Sequence, residues 1–227
     1  MPFRNARTIR RFTNTATIPV LAPTGRRMLT PAEATSWNGQ GACLGASLLW
    51  LITARHFGVT AASLDPETRI RPRQRLPILL QAGFEQAVRD DLISRGQEAK
   101  NGRLPFERET LLVAQMAAML KVHKHSTVYG EFGDTFEESA LKRFDDHVEE
   151  YIMRTTVSAI YCLLVIPGHA MAAAYDTSGG CFLFEPNRGV YGYNNWSVML
   201  QDLWEYLNNS DEVSPLANIA LTIFTID

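Results

Sequence analysis

Apolar positions follow a helical period between residues 42 and 154, and short apolar runs with a strand period predominate after residue 154. Residues 42–57 are apolar on nearly every side, which predicts a buried central helix that ends at Gly58. Further amphipathic helices are predicted at 74–96, 105–121 and 135–154. The last of them has capping-box spacing, from Asp134 to Glu137. Residues 42–154 are therefore predicted to form a helical layer.

Short apolar runs bounded by turns come after residue 154, and this pattern is typical of antiparallel strands. Strands are predicted at 157–166, 169–175, 180–185 and 217–226. A helix at 196–207 precedes the last strand. Helices first and antiparallel strands second predict an α+β fold. No linker divides residues 31–227, so one domain is expected there.

Residues 1–30 show neither period and are expected to be extended or flexible. Within the first 27 residues there is no acidic residue, and the six basic ones are Arg4, Arg7, Arg10, Arg11, Arg26 and Arg27. The net charge of the whole chain is -2, so this basic segment stands before an acidic body. We interpret residues 1–30 as a basic secretion or targeting segment that lies outside the folded domain.

Composition excludes several classes of protein. Hydrophobic residues make up 46% and charged residues 20%, which is typical of a globular domain and not of a disordered chain. A net charge of -2 argues against a nucleic-acid partner. The longest apolar run, Val157 to Pro167, is too short for a transmembrane helix. No phosphate loop, dinucleotide motif or zinc spacing is present, so neither a metal nor an organic cofactor is expected.

Cys43 lies in the first turn of the predicted central helix, after the loop Asn38-Gly-Gln-Gly-Ala42. The amide dipoles of a helix N-terminus stabilise a thiolate, and glycines let a backbone approach a substrate carbonyl closely. A small buried core cysteine is the alternative interpretation. Cys162 and Cys181, in contrast, lie in the middle of predicted strands and are interpreted as core residues.

His169 begins a predicted strand directly after a Pro-Gly turn, so its ring can stand at the edge of a sheet. The next strand pairs with it as a hairpin. In one register His169 lies opposite Glu185, and in the register shifted by one residue on each side it lies opposite Asn187. Both side chains share the face of the histidine, and either an acid or an amide would orient the ring.

A thiol, a base and a group that orients the base together indicate nucleophilic acyl transfer. Two other histidines, His123 and His125, have no acid or cysteine nearby and are interpreted as a cationic surface stretch rather than a metal site. The acidic residues of 135–154 are interpreted as a solvated face: Glu137, Glu138, Asp145, Asp146, Glu149 and Glu150.

Three blocks of sequence resemble the YopT-type cysteine proteases, which are papain-fold effectors of bacterial pathogens and symbionts. The blocks are residues 38–50 around Cys43, Gly168-His169-Ala170, and Phe184-Glu185-Pro-Asn-Arg-Gly189. The resemblance spans roughly residues 36 to 200. It implies a papain-like fold in which a helical layer carries Cys43 and an antiparallel sheet carries His169.

The same resemblance implies a role for each site residue. Cys43 corresponds to the nucleophile, His169 to the general base and later acid, Glu185 to the residue that orients the histidine, and Asn38 to the oxyanion donor. The family has Asp-Pro-Asn where this chain has Glu-Pro-Asn, which keeps Asn187 open as the alternative third residue. Gln40 is the alternative oxyanion donor, because a glutamine upstream of the cysteine serves in papain itself.

The implied activity is that of a bacterial effector, delivered by type III secretion, which cleaves a host protein in the host cytosol or at a membrane surface. A secretion chaperone would bind the N-terminal segment. The same three residues would also serve an amidase, deamidase, transglutaminase or acyltransferase. A catalytically inactive binding module that acts through its acidic helices is a further alternative.

Overall fold

The computed structural model describes residues 3, 6–11, 42–59, 65, 69–70, 75–97, 104–131, 135–155, 157–176, 180–209 and 218–226. The helices in these ranges are α1 (Cys43–Phe57), α2 (Arg75–Ser94), α3 (Phe106–Met119), α4 (Ala140–Arg154) and α5 (Trp196–Asn208). The strands are β1 (Arg7–Arg11), β2 (Val122–Glu131), β3 (Ala159–Ile166), β4 (His169–Asp176), β5 (Gly180–Glu185), β6 (Gly189–Tyr193) and β7 (Asn218–Ile226).

All seven strands form one antiparallel sheet in the order β1-β6-β5-β4-β3-β7-β2. The hairpins β3–β4, β4–β5 and β5–β6 follow one another along the chain, which is the usual result of short turns between apolar runs. Strand β4, which begins with His169, is therefore in the middle of the sheet. The fold is α+β and mixes helices with an antiparallel sheet, as the sequence predicts.

Helices cover both faces of this sheet, because its strands are apolar on both sides. On one face, α1 packs against alternate residues of β4 and β5 such as Ala172 and Phe184, and α2 and α3 extend the same core layer. On the other face, α4 and α5 pack against the intervening residues, such as Met171 and Leu183. Alternation along each strand thus divides the core into two layers.

The predicted helices and strands agree with most of the observed ones, with α4 as an exception at its start. It begins at Ala140, where Ser139 accepts a hydrogen bond from the backbone N–H of Lys142. The predicted capping box from Asp134 to Glu137 is therefore wrong. A related arrangement occurs one residue later, in the turn before the helix, where the Glu138 N–H donates to Thr135 Oγ1 at 3.4 Å.

Two strands have no apolar alternation strong enough to predict them. Strand β2 contains the polar stretch Lys-Val-His-Lys-His and lies at the edge of the sheet, where it is held by backbone pairing with β7. Strand β6 follows the tight turn after Glu185 and pairs with β5. Because β2 lies between α3 and α4, the helical and sheet segments are not strictly consecutive in the chain.

The N-terminal segment is part of the sheet rather than outside the domain. Residues Arg7–Arg11 form β1, which pairs with β6, and the Phe3 ring is 5% exposed in the core layer of α4 and α5. The expectation that residues 1–30 lie outside the folded domain is therefore wrong for Phe3 and β1. The boundary at residue 30 stays a prediction, because residues 12–41 lie outside the described residues.

The acidic face of α4 contains one buried carboxylate. Five of the six acids predicted to be solvated are exposed, but Asp145 is only 3% exposed. Ser197 at the start of α5 donates a hydrogen bond to Asp145 Oδ2 at 3.1 Å. Burial raises the pKa of Asp145. The prediction was wrong at this position because helix periodicity does not show where a second helix will pack.

Candidate active site

Helix α1 begins at Cys43, so this thiol stands at the positive end of the helix dipole. The preceding residue, Ala42, has no side chain that can cap the helix. The remaining residues of α1 are buried on nearly every side, from Leu44 to Ala54, which fixes the helix between the sheet and α2. Cys43 itself is 6% exposed.

Two contacts hold α1 against the strands that carry the histidine and the acid. The Ser47 hydroxyl donates to the backbone carbonyl of Ala170 at 3.1 Å, one residue after His169. Trp50 stacks on Phe184, one residue before Glu185, with ring centroids 5.6 Å apart. These contacts fix the start of α1 relative to both strands.

Helix α1 also approaches α2 very closely. A Cβ atom at Gly45 would collide with the backbone carbonyl of Pro77, so only glycine fits there. Gly45 lies two residues after Cys43, in the first turn of α1. The contact therefore sets the position of that first turn against the helical layer.

His169 is the first residue of β4 and follows the Pro167-Gly168 turn, in which Gly168 has φ +80°. Only 15% of its side chain is exposed. Its Nε2 lies 2.8 Å from Glu185 Oε1, within hydrogen-bonding distance. A carboxylate at Nε2 leaves Nδ1 as the ring nitrogen for a second partner.

The register of the β4–β5 hairpin is the second of the two weighed above. Ala174 pairs with Phe182 and Asp176 with Gly180, so continuing the ladder would place His169 opposite Asn187. The hydrogen bond nevertheless goes to Glu185. This residue is a diagonal neighbour of His169, and its long side chain covers the extra distance.

Cys43 is the second partner of the His169 ring. Burial opposes a charge on this ring, but hydrogen bonds to Cys43 and to Glu185, and the charges of both groups, raise the pKa of His169 to about 10. At neutral pH the His169 ring is therefore charged, and it lies beside the Cys43 sulfur. A positive charge next to a cysteine favours the thiolate, which is the nucleophilic form of the side chain.

Glu185 is completely buried at the end of β5. Its Oε1 contacts His169, and its Oε2 has no hydrogen-bond partner among the described residues. A buried carboxylate is costly unless it is paired, so Glu185 depends on the His169 contact. The turn that follows is closed by the Arg188 N–H, which donates to the Glu185 carbonyl at 3.0 Å.

The structure thus brings together Cys43, His169 and Glu185, whereas Asn187 lies half-buried in the turn after the acid. The two oxyanion candidates, Asn38 and Gln40, lie outside the described residues. Sequence reasoning missed Ser47. Its signal was a lone hydroxyl one helical turn after Cys43, in a helix that is otherwise apolar around it.

The other two cysteines are buried inside strands on the opposite face of the sheet. Cys162 is in β3, and Cys181 in β5 contacts the sulfur of Met199 at 3.6 Å. Burial raises the pKa of both thiols. A buried neutral thiol is a poor nucleophile.

His123 and His125 are exposed on β2. No group of three or more histidine, cysteine or acidic residues in the described ranges has an arrangement that would hold a metal ion. Within the same ranges, none of the helices combines the length and apolarity needed to cross a bilayer.

Solved structures resemble this fold at low sequence identity. AvrPphB, an avirulence protein of Pseudomonas and a YopT-type cysteine protease effector, matches with a TM-score of 0.55 and 14% identity. The match covers 84% of this chain and 94% of that one. The ubiquitin-specific protease of a murine cytomegalovirus tegument protein, solved with a ubiquitin-based suicide substrate, matches with a TM-score of 0.46 and 13% identity. That match covers 86% of this chain and 83% of the viral one.

The fold is therefore that of papain-like cysteine proteases, as the resemblance of the three sequence blocks implied. No protein-family model matches the sequence, and comparison with curated proteins finds no significant match.

Proposed function

We propose that this chain is a cysteine protease whose nucleophile is Cys43, whose general base and acid is His169, and whose orienting residue is Glu185. The observation that carries the proposal is the His169 ring, which bonds Glu185 through Nε2 and also bonds Cys43. The papain-like fold supports the same chemistry. The side-chain amide of Asn38 is proposed to stabilise the oxyanion, with Gln40 as the alternative.

The proposed reaction has two acyl-transfer steps. The Cys43 thiolate attacks the carbonyl carbon of a peptide bond, and the imidazolium of His169 gives its proton to the leaving amine. This leaves the acyl group of the substrate as a thioester on Cys43. Neutral His169 then takes a proton from water, which attacks the thioester and releases a carboxylic acid. Glu185 holds the ring in one orientation throughout and stabilises its charged form.

We further propose that the chain is a bacterial effector, delivered by type III secretion, which acts on a host protein inside the host cell or at a membrane surface. The arginine-rich, acid-free N-terminal segment and the fold shared with an avirulence protein support this setting. A secretion chaperone would bind that segment before delivery.

The test is incubation of the purified protein with lysate of candidate host cells, followed by mass spectrometry of new protein termini. We expect new termini in one or a few host proteins, and none when Cys43→Ala is used. Cys162→Ala is the matched control, because it removes a buried thiol of the opposite face and should cleave like the unaltered protein.

Two outcomes would overturn the proposal. Substrate proteins that gain about 1 Da without chain cleavage would show deamidation through the same thiol. A cellular effect that survives Cys43→Ala would indicate a binding module rather than an enzyme.

A further inference from the structure

The N-terminal residues reach the turn that carries Glu185 by two routes. The first is backbone pairing, in which Arg11 pairs with Gly189 and Arg10 with Val190. Gly189 also pairs with Glu185 at the end of the β5–β6 ladder. The turn after the acid is thus flanked by β5 on one side and by β1 on the other.

The second route runs through aromatic side chains. The Phe3 ring lies 4.5 Å from the ring centroid of Tyr191 and 4.6 Å from that of Tyr206. The Arg188 guanidinium lies 5.4 Å from the Tyr206 ring centroid, and its Nε donates to the Tyr206 hydroxyl at 3.3 Å. Arg188 is the residue whose backbone N–H closes the turn on Glu185.

Phe3 also has an unusual backbone conformation, with φ 60°. A bulky residue adopts this left-handed region only where its surroundings compensate the strain. Burial of the ring between Tyr191 and Tyr206 supplies that compensation. The Ala6 N–H donates to the Phe3 carbonyl at 3.3 Å, which ties Phe3 to the residue directly before β1.

We propose that Phe3 and β1 form an N-terminal brace that positions Glu185 against His169, with Phe3 as its anchor. The inference rests on the proposed function, because it assigns to the brace the support of the proposed catalytic acid. Phe3 is a positioning residue, since it acts on the acid through Tyr206, Arg188 and the turn. A segment interpreted from sequence as a targeting tail thereby becomes part of the enzyme.

The geometry explains why such support is needed. Glu185 reaches His169 diagonally, beyond the last paired residues of the β4–β5 ladder, Ala172 and Phe184. Strand pairing with β4 therefore does not fix the acid. The turn from Glu185 to Gly189 must be held from its other side, where β1 pairs with Gly189 and the Arg188 side chain contacts Tyr206. Loosening the turn by a fraction of an ångström would weaken a buried hydrogen bond to the ring.

The experiment is an NMR titration of the His169 ring in the full-length protein, with the resonance assigned by His169→Gln. The groups that bear on this ring are Cys43 and Glu185. We expect Phe3→Ala to lower the pH at which the ring titrates by about one unit, since one unit corresponds to a tenfold weaker preference for the charged form. Phe136→Ala, an aromatic truncation in the same core layer, is the matched control and should leave the titration unchanged.

A double variant decides whether Phe3 acts through the acid. If it does, Phe3→Ala adds no further shift in a Glu185→Gln background. An unchanged titration in Phe3→Ala, or an equal shift in both backgrounds, would overturn the brace. The titration needs no substrate, so it is separate from the cleavage test. A His169 ring that titrates at its ordinary pH and ignores Glu185→Gln would instead count against the proposed catalytic pairing.

Discussion

Cysteines occur at the start of α1 and in the interior of the sheet. They are equally buried, but they differ in the groups that surround the sulfur. Cys43, Cys162 and Cys181 are all buried. Cys43 stands at the end of a helix beside a ring that has its own carboxylate partner. Cys162 and Cys181 lie within strands among apolar side chains, where burial raises the pKa of each thiol.

The comparison shows that the three buried thiols differ in their partners and not in their access to solvent. Burial without a partner disfavours the thiolate, whereas burial beside an imidazolium strengthens the attraction between the two charges. The same sheet provides both situations. One face holds Cys162 and Cys181 in the α4 and α5 layer, and the other face meets the start of α1, where Cys43 lies beside His169.

Among the variants, removal of the proposed base, His169, should have the largest effect on the reactivity that distinguishes Cys43 from the other two cysteines. We expect His169→Ala to reduce kcat/KM for the host substrate by about 10⁴-fold, because the thiol loses both its proton acceptor and its counter-charge. His147→Ala is the control. That ring also has a side-chain partner, Ser126 Oγ at 2.8 Å, but it lies away from the site, and its loss should leave kcat/KM unchanged.

Alkylation compares the three thiols directly. With iodoacetamide at pH 6, we expect native Cys43 to be labelled at least about 10²-fold faster than Cys162 or Cys181. Peptide mass spectrometry of quenched samples gives the rates. Equal and slow labelling of all three thiols would show that the two regions do not differ in reactivity. In His169→Ala, we expect the labelling rate of Cys43 to fall close to the rates of Cys162 and Cys181.

The acid can be tested through the pH dependence of kcat/KM. In the proposed reaction the charged ring is the active form, so we expect activity to fall as pH rises through the pKa of His169, about 10. Glu185 is one of the two partners that raise this pKa. We expect Glu185→Gln to move the alkaline limb to lower pH and to reduce kcat/KM by about 10²-fold.

Asn187→Ala is the matched variant for the acid, because Asn187 is the other residue that the sequence offered for this role. It should leave the alkaline limb in place. If the alkaline limb shifted in Asn187→Ala but not in Glu185→Gln, Asn187 rather than Glu185 would be the residue that orients His169.

A smaller effect on activity is expected from loss of the hydrogen bond between α1 and β4. Ser47→Ala removes the hydroxyl that bonds the Ala170 carbonyl, and we expect kcat to fall about tenfold with KM unchanged, because the thiol and ring are less well aligned. Thr53→Val removes a buried hydroxyl from the same helix that bonds only the Leu49 carbonyl within α1. It should lower the midpoint of thermal unfolding without changing kcat.

The smallest effect on activity is expected in the sheet interior. Cys162→Ser places a hydroxyl where no water reaches, and we expect the free energy of unfolding to fall by about 1–3 kcal/mol. Denaturant unfolding measures this loss. The kcat/KM at a temperature where the variant stays folded should equal that of the unaltered protein, and a marked decrease would show that the two regions are coupled.

Sequence patterns were sufficient for the elements that bury apolar faces. The bounds of β5 are as predicted, and α1 differs by one residue, because each is a largely apolar segment with a clear turn at its end. Strands β1, β2 and β6 were not predicted, since they are held by backbone pairing at or near the sheet edges, and pairing leaves little trace in side-chain polarity.

For the candidate site, the sequence identified which residues come together but not the geometry of their contacts. The order of Cys43, His169 and Glu185 pointed to one cluster, and the structure brings these side chains together. The diagonal contact between Glu185 and His169 was not predicted, because the hairpin registers were compared only by the residue that lies directly opposite His169. Burial of Asp145 was missed for the related reason that it depends on a packing partner, Ser197, more than fifty residues away.

The strand order has a consequence for how the protein folds during synthesis. Strand β3 pairs with β4 on one side and with β7 on the other, and β7 is made only after α5. A nascent chain that ends before residue 218 cannot complete the centre of the sheet. Contacts so distant in sequence form slowly. Cys43 is therefore made long before the strand pairing next to His169 is complete, and we expect the Cys43–His169 contact to form only after β7 is inserted.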